Sequence, residues 1–352
     1  FPSINLFSHW LLDDQGACAP RSLSVCGDLR DLTQEREALL RSCGTTCAMD
    51  KEGVPGRYFD FVMKEINCAT IFDDPPSSLT FHPPPRRIPT EFHADLSMSG
   101  AARMTEYYFN EPWAPTKTIS WSATMIDAEV EHAAHRRYDR MLASYGAEEA
   151  ERVHRFLEQY RTAIENHHCA VVGGTYPYIE ALLLELGAAE VTTIEYAKIH
   201  SEHSRVSTIQ PKDLPQLVND QLVGRKKGFD CVVSYSSLEH SGLGRYGDAL
   251  DPWGDVRSMA QLQCLTEPNA AFFIGVPYSH DETCWNGGRI YGPKRGAQLF
   301  ANIAVEQAVV TAKSAHGLSS VLSNLEDFPE SGRGDAHGCA MVHTMFFGRK
   351  AA

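Results

Sequence analysis

The sequence predicts an α/β fold with a doubly wound, Rossmann-like sheet, preceded by a Cys-rich, partly helical N-terminal extension. Three observations lead to this prediction. From residue 168 onward, short apolar runs alternate with stretches of helical periodicity, as in parallel sheets covered by helices. The first of these runs ends in a pair of glycines. A later run ends in a long polar loop within 229–257, and such folds hold their chemistry at the carboxyl ends of their strands.

The N-terminal region, 1–125, is predicted to be Cys-rich and to contain a Pro-rich connector at 73–89. A helix is expected at 34–41, and the aromatic stretch 90–125 is expected to be irregular. Phe1 in place of an initiator Met predicts a processed or truncated chain. The early Cys residues have no paired CxxC spacing and no nearby His, which favours disulfides in a secretory compartment over zinc. They are Cys18, Cys26, Cys43, Cys47 and Cys68.

A helical linker or cap, 126–167, is predicted next, because apolar residues recur there at helical spacing. Its helix is expected to be long, with a break at Gly146. The α/β domain then occupies 168–352, and Cys169 and Cys231 are expected to be small buried thiols within its strands. Helices are expected at 178–187 and 255–265, and strands at 170–172, 191–195, 206–210, 231–234, 271–276, 305–311 and 341–347.

A glycine turn follows the first predicted strand. Gly173 and Gly174 precede a helix, and the next strand ends in Glu195 about 20 residues later, the spacing of a nucleotide-binding βαβ unit. Glycines let the backbone approach a ligand closely, and a carboxylate can accept hydrogen bonds from both ribose hydroxyls. The alternative is a glycine turn and an exposed Glu with no ligand.

The third glycine of the dinucleotide pattern is absent, and Pro177 stands near its position. This favours S-adenosylmethionine, a nucleoside cofactor without a pyrophosphate, over NAD. We expect its methionine end at the glycine turn and its ribose on Glu195. Its adenine is expected near Lys212 and Asp213, beside residues 234–236. The residues expected to bind the cofactor are Gly173, Gly174, Thr175, Tyr176, Glu195, Tyr196, Asp213, Ser234, Tyr235 and Ser236.

The order of the glycine turn, the acid after the second strand, the Asp-led fourth strand and a terminal antiparallel strand resembles the class I S-adenosylmethionine-dependent methyltransferases. More specifically, the segments GGTYPYIEALLLELGAAEVTTIEY, SYSSLEHSGLGRYGDALDPWGD and NGGRIYGPKRG resemble a nematode-rich, methyltransferase-like family of unknown function. This chain has Asn-Gly-Gly-Arg at 286–289, where an Asn-Ala-His-Arg-like run is expected, so no role for a His is carried over there. The resemblance implies the fold and the cofactor, and leaves the acceptor open.

The loop after the fourth predicted strand supplies the candidate catalytic residues. Methyl transfer to a hydroxyl needs a base, and His240 is the candidate because imidazole titrates near neutral pH. Asp248 or Asp251 is expected to bind the acceptor or to orient the imidazole. A His hydrogen-bonded within the loop is the alternative. A metal site is not favoured because the run lacks the order of an EF-hand, and Asp255 is expected to cap the next helix.

The segment 277–295, after the fifth predicted strand, is expected to form a lid over the acceptor. Arg289 and Tyr291 could instead pin this lid to the sheet, and Trp253 could fill a gap in the core. A disulfide between Cys284 and Cys339 is a further expectation. The residues expected to bind the substrate are Trp253, Tyr278, Arg289 and Tyr291.

The net charge of −13 argues against a nucleic-acid partner, and no apolar run approaches the length of a membrane span. The sequence thus predicts an S-adenosylmethionine-dependent O-methyltransferase that acts on a glycan or another small hydroxylated acceptor. The cysteines favour the Golgi lumen of the secretory pathway, with the cytoplasm as the alternative. An NAD-dependent oxidoreductase and a non-catalytic binding module on the same fold are the competing hypotheses.

Overall fold

The computed structural model describes residues 66–72, 83–109, 118–310 and 343–350. The helices in these ranges are α1 (His93–Leu96), α2 (Ala123–Ala134), α3 (Ala147–Gln159), α4 (Tyr178–Glu185), α5 (Leu214–Leu222), α6 (Gly254–Cys264) and α7 (Pro293–Leu299). The strands are β1 (Arg103–Tyr107), β2 (Thr118–Trp121), β3 (His168–Val172), β4 (Glu190–Ile194), β5 (Lys198–Ser201), β6 (Val206–Ile209), β7 (Phe229–Tyr235), β8 (Thr266–Pro277), β9 (Glu282–Asn286), β10 (Gly288–Ile290), β11 (Ile303–Val310) and β12 (His343–Lys350).

The central sheet has seven strands in the order β11-β12-β8-β7-β3-β4-β6. The five strands from β8 to β6 pair in parallel, whereas β12 is antiparallel to both β8 and β11. The strand order reverses between β3 and β7, and ligands of open α/β sheets bind in the crevice at such a switch point. The predicted Rossmann-like sheet and its terminal antiparallel strand are confirmed.

Helices cover both faces of this sheet. Successive residues of a strand point to opposite sides, and in the central strands both sets are apolar and need to be buried. On one face Val233 packs in a core with residues of α2, α3 and α4, including Phe156 and Leu182. On the other face Val232 packs with residues of α5 and α6, including Leu217 and Met259. Burial on both faces explains why the central strands have continuous apolar runs rather than alternating ones.

The predicted strands of the α/β domain are all found, with ends that differ by a few residues and with β8 extended toward its start. In the cap, the break expected at Gly146 is confirmed, since α3 begins directly after it, but the cap is less helical than expected. The long helix over 127–167 is divided into α2 and α3 by the cap segment, residues 135–146. Arg136 (φ 56°) and Gly146 (φ 90°) both have left-handed backbone conformations there, which a helix cannot continue through. The stretch 90–125 also contains β1 and β2, so its described part is more regular than expected.

Disulfides connect distant parts of the chain. Cys68 pairs with Cys264 at the end of α6, which confirms a disulfide for one of the early cysteines. The other four, the helix expected at 34–41 and most of the Pro-rich connector lie outside the described residues. Cys169 and Cys231 were wrongly expected to be free thiols: they lie directly opposite each other on β3 and β7 and form a disulfide. Cys284 is disulfide-bonded too, but Cys339, its expected partner, is outside the described residues. Among the described helices none is long and apolar enough to cross a bilayer.

Candidate functional site

A cavity of about 370 Å³ lies at the carboxyl ends of β3, β4 and β7. Its walls come from the glycine turn 173–176, the end of β4 with residues 195–196, and the loop 235–241. The starts of α4 and α5, residues of α6 and the cap segment complete it. The cavity is therefore built at the switch point of the sheet, where the parallel topology leaves a crevice.

The glycine turn depends on backbone conformations that other residues avoid. Gly173 has φ 81° and Gly174 has φ 115°. A Cβ on Gly173 would collide with the side chain of Ser237, from the loop after β7. The Gly173 N–H donates to the Ile194 carbonyl at 3.0 Å. The two glycines thus let the turn pack against neighbouring loops while its backbone still faces the cavity.

Glu195 ties the end of β4 to the glycine turn. Its carboxylate accepts hydrogen bonds from the Gly174 N–H at 2.9 Å and from the Ala197 N–H at 3.1 Å. Burial raises the pKa of Glu195, and the backbone N–H groups around it partly oppose that rise. The carboxylate lines the cavity beside the turn, as the spacing of the βαβ unit predicted.

Glu180, which was not among the residues predicted for the site, also lines the cavity. Its side chain lies in the first turn of α4 and is buried, with 1% exposed. One carboxyl oxygen, Oε1, accepts a hydrogen bond from Thr193 Oγ1 at 2.6 Å, whereas the buried Oε2 has no hydrogen-bond partner. Burial raises the pKa of Glu180 to about 7. The signal in the sequence is a lone Glu within the apolar helix YIEALLLE.

His240 stands at the opposite wall, at the end of the 3-10 turn Leu238–His240. Its Nδ1 lies 2.7 Å from the Gly287 carbonyl, which accepts only if Nδ1 carries the proton. Nε2 is then a proton acceptor. Burial, reinforced by the positive charge of Arg245, lowers the pKa of His240 to about 3. The imidazole is therefore neutral across the physiological pH range.

Glu239 adds a second buried carboxylate beside His240, 3.7 Å from Oε1 to the imidazole Nε2. Its Oε1 accepts a hydrogen bond from Ser236 Oγ at 2.7 Å, and its Oε2 is buried with no hydrogen-bond partner. Burial raises the pKa of Glu239 to about 7. Tyr145 of the cap segment donates to Ser236 Oγ at 2.6 Å, and His343 Nε2 lies 3.1 Å from the same oxygen. Residues from three distant segments thus converge behind His240.

The structure does not give Asp248 or Asp251 the expected role of orienting the imidazole. Asp248 accepts from the backbone N–H groups of Gly242, Gly244 and Tyr246, so it shapes the loop, although it also lines the cavity. Asp251 accepts from the Trp253 N–H and lies 3.4 Å from Arg257. The Gly287 carbonyl orients His240 instead.

The lid expected over the acceptor at 277–295 is not found either. Residues 282–290 form the buried strands β9 and β10, which make a small sheet with β1. Asp255 does not cap α6, whose N-cap is Trp253. It is buried and forms a salt bridge with Arg295, 2.5 Å from Oδ1 to Nη2, and accepts from the Tyr291 hydroxyl at 3.0 Å. Arg289, also buried, lies 3.7 Å from Asp255.

Arg289 and Arg295 hold the loop that carries His240. Arg289 donates to the carbonyls of Glu239, Ser241 and Pro252, and Arg295 donates to that of Pro252. We call Asp255, Arg289, Tyr291 and Arg295 the ionic brace. Its four side chains support the site from behind and do not reach the cavity.

The cavity gathers ten of the residues predicted for the site: Gly173, Gly174, Thr175, Tyr176, Glu195, Tyr196, Tyr235, Ser236, His240 and Asp248. It does not include Asp213, Ser234, Asp251, Trp253, Tyr278, Arg289 or Tyr291. Asp213 is exposed on a 3-10 turn, Ser234 is buried in β7, and the Trp253 ring lies against the Arg295 guanidinium. Within the described ranges, no group of three or more His, Cys, Asp or Glu side chains could hold a metal ion.

The charge of the cavity wall is one-sided. Its charged residues are the three acids Glu180, Glu195 and Asp248, and none of the described residues lining it is Lys or Arg. Phosphate groups are bound through Lys, Arg or unobstructed helix N-termini. An acidic wall of this kind favours a ligand that carries positive charge.

Residues 166–316 match the family described as "Caenorhabditis protein of unknown function, DUF268". No curated protein matches the chain. Similar solved structures include 1,6-didemethyltoxoflavin-N1-methyltransferase from Burkholderia thailandensis, with 12% identity, TM-score 0.38, and 70% of this chain and 93% of that chain covered. The N-methyltransferase NodS from Bradyrhizobium japonicum, with S-adenosylhomocysteine, has 10% identity, TM-score 0.36 and coverages of 65% and 98%.

An O-methyltransferase from Bacillus cereus, in complex with S-adenosylhomocysteine, has 10% identity and TM-score 0.33, with 64% of this chain and 91% of that chain covered. At such scores these likenesses say nothing about the ligand or substrate of this chain. The family match covers the glycine turn, the cavity loops and the ionic brace. The matched segment, 166–316, is thus similar to a nematode family of unknown function, and the strand order around it is of the class I methyltransferase type.

Proposed function

We propose that the protein is an S-adenosylmethionine-dependent O-methyltransferase acting on a glycan or another small hydroxylated acceptor. One observation carries the proposal: a glycine turn at the switch point opens into a cavity with three acids and no Lys or Arg among its described lining. S-adenosylmethionine carries a positive sulfonium and no phosphate. NAD carries two phosphates, and the described lining offers them no Lys or Arg. The volume of about 370 Å³ suits a small ligand, since such pockets measure about 300–1,000 Å³.

Three parts of the chain would hold the cofactor. The turn 173–176 would take its methionine end, Glu195 would accept the ribose hydroxyls, and Tyr235 and Ser236 would lie near the adenine. When bound, the cofactor supplies a methyl group on a sulfonium, which an oxygen nucleophile can take. Glu195 would accept the ribose hydroxyls in addition to its two backbone donors, because a carboxylate has about four acceptor sites.

The acceptor would enter past tyrosines at the mouth. Tyr145, Tyr176 and Tyr196 all line the cavity and remain 44%, 50% and 38% exposed. Exposed aromatic rings offer flat apolar faces with a polar tip, which suits the stacking of a sugar ring. The disulfides, including Cys68–Cys264, support an oxidising compartment, and the Golgi lumen is the site we propose.

His240 would remove the proton of the acceptor hydroxyl as the new oxygen–carbon bond forms. The Gly287 carbonyl holds the Nδ1 proton, so Nε2 carries the lone pair. A base with a pKa of about 3 is a weak proton acceptor by itself. Glu239 lies 3.7 Å from Nε2 and has a pKa of about 7, so its ionised form would stabilise the protonated imidazole by charge. The proton would thus pass from the acceptor oxygen to His240 Nε2, with the Glu239 carboxylate as the counter-charge.

Cofactor identity is tested by thermal unfolding of the protein with S-adenosylmethionine, S-adenosylhomocysteine or NAD. We expect the first two to raise the midpoint and NAD to leave it unchanged, because a ligand that binds only the folded state stabilises it. A rise with NAD alone would establish a dinucleotide enzyme, and no rise with any of the three would remove the proposed cofactor.

The proposed base is tested with His240→Ala, assayed for transfer of labelled methyl groups to a panel of mono- and oligosaccharides. Loss of a general base should lower the rate by about 10²–10⁴-fold, while cofactor affinity stays near that of the wild type. His200→Ala is the matched control, because His200 is exposed on β5 and does not line the cavity. Normal turnover by His240→Ala on an acceptor that the wild type methylates would make His240 a structural residue.

A further inference from the structure

We infer that Glu180 supplies the counter-charge for a positive group of the cofactor, either its sulfonium or its α-ammonium. This inference rests on the proposed function and deepens it, because it names a binding residue outside the glycine turn and the acid after β4. The observation that motivates it is the half-satisfied Glu180 carboxyl group in the cavity wall.

The position of Glu180 follows from the turn itself. Helix α4 begins at Tyr178, directly after the glycine turn, and Glu180 lies in its first turn. Thr193 of β4 holds Oε1 at 2.6 Å, which leaves Oε2 buried, without a hydrogen-bond partner, in the wall of the cavity. The carboxyl group is therefore held in one orientation before any ligand arrives.

A purely structural role does not explain this residue. Its helical neighbours Ile179, Ala181 and Leu182 are buried and apolar. A buried polar atom left without a partner destabilises the folded state, and an apolar side chain of similar size would avoid that penalty. Such orphaned groups in a cavity wall point to a ligand that completes them.

The charge around Glu180 makes that ligand a cation. The groups that act on its carboxyl are the Thr193 hydroxyl, the backbone N–H of Glu180 itself and the Glu195 carboxylate, and Tyr178 lies nearby on α4. None of them is positive. Burial, with a smaller contribution from Glu195, raises the pKa of Glu180 to about 7. A positive group in the cavity would stabilise the ionised carboxylate, so binding below pH 7 should release a proton.

The test is calorimetry of wild type and Glu180→Gln with S-adenosylmethionine and S-adenosylhomocysteine. The variant keeps an oxygen for Thr193 and loses only the charge. We expect affinity to fall by about 10–100-fold, the range typical of a lost charged hydrogen bond. Because only S-adenosylmethionine has the sulfonium, a loss confined to it assigns that group. An equal loss for both assigns the shared α-ammonium. Unchanged affinity for both overturns the inference.

Glu190→Gln is the matched control, because Glu190 is an exposed Glu at the start of β4. Should Glu180→Gln fail to fold, the wild type still decides: binding at pH 6.5 is measured in buffers of different ionisation enthalpy. Proton release that Glu195→Gln retains supports the inference, and its absence overturns it. Failure of the wild type to bind either compound is a different result, since it removes the proposed function together with the inference.

Discussion

Asp255 and Glu180 are two buried carboxyl groups near the same cavity, and their surroundings differ: one is paired with cations and the other is not. Asp255 has Arg295 and the Tyr291 hydroxyl as direct partners and Arg289 close by. Burial alone would raise the pKa of Asp255, but Arg289 and Arg295 outweigh it, and the pKa is lowered. Glu180 has one hydroxyl for one oxygen and nothing for the other, and its pKa is raised. The paired group stabilises the loop after β7, and the unpaired group is the one that we propose to interact with a ligand.

The ionic brace around Asp255 also explains how a polar loop can hold His240 at the cavity wall. Backbone carbonyls within 239–252 would lack partners if the loop packed against apolar surface. The guanidinium groups of Arg289 and Arg295 satisfy three of them, and Asp255 offsets one of the two positive charges. The brace thus fixes the loop at the cavity wall without touching the ligand space.

The largest expected effect, on the free energy of unfolding, comes from removing Asp255 from the ionic brace. Asp255→Ala removes the acid in direct contact with two buried guanidinium groups, and it should lower the free energy of unfolding by about 3–5 kcal/mol. Urea denaturation at pH 7 measures this change. The control is Glu151→Ala, which removes the exposed partner of Arg155 on α3 and should change stability by less than about 1 kcal/mol. Equal changes in the two variants would show that the brace adds no stability.

Glu239, like Glu180, is a buried carboxyl group with one unpartnered oxygen and a raised pKa. Its effect on stability should therefore depend on pH with the sign opposite to that of Asp255, whose pKa is lowered. The pKa of Glu239 is about 7 in the folded protein against 4.5 for an ordinary Glu, so the folded state binds more protons between these values. The free energy of unfolding should therefore fall as the pH rises from about 4.5 to about 7. Glu239→Gln cannot ionise, so relative to wild type it should gain about 1–3 kcal/mol between pH 5 and pH 8. Urea denaturation at both pH values tests this, and parallel curves for the two proteins would contradict it.

A smaller effect, on cofactor affinity, should distinguish two acids that were both predicted to bind the cofactor. Glu195 lines the cavity, whereas Asp213 is exposed and does not. Glu195→Ala should weaken S-adenosylmethionine binding by about 10–100-fold, because hydrogen bonds to a charged group are lost. Asp213→Ala should leave the affinity unchanged within error. Calorimetry of both variants measures the difference, and unchanged affinity in Glu195→Ala would remove this residue from the site.

Local patterns in the sequence were sufficient for the framework of the fold. Apolar runs predicted the strands of the central sheet, because burial on both faces leaves a continuous apolar signal. The glycine turn and Glu195 also follow from local spacing, since a βαβ unit brings the ends of two neighbouring strands together. The prediction of a long helix in the cap was wrong at Arg136, which has a positive φ. Helical periodicity of apolar residues gives no sign of such a backbone conformation.

Only the tertiary structure decided which side chains meet at the site. Ser236 contacts Tyr145 and His343, which lie 91 and 107 residues away in the sequence. The Cys169–Cys231 disulfide depends on the register of β3 against β7, and the brace depends on where β10 and α7 pack against the loop after β7. The sequence by itself determined the sheet, the glycine turn and its acid, because these depend on near neighbours. Glu180 and Glu239 each have one nearby partner in the sequence, Thr193 and Ser236, but the burial of the second oxygen depends on how distant elements pack, so only the folded structure decides whether it finds a partner.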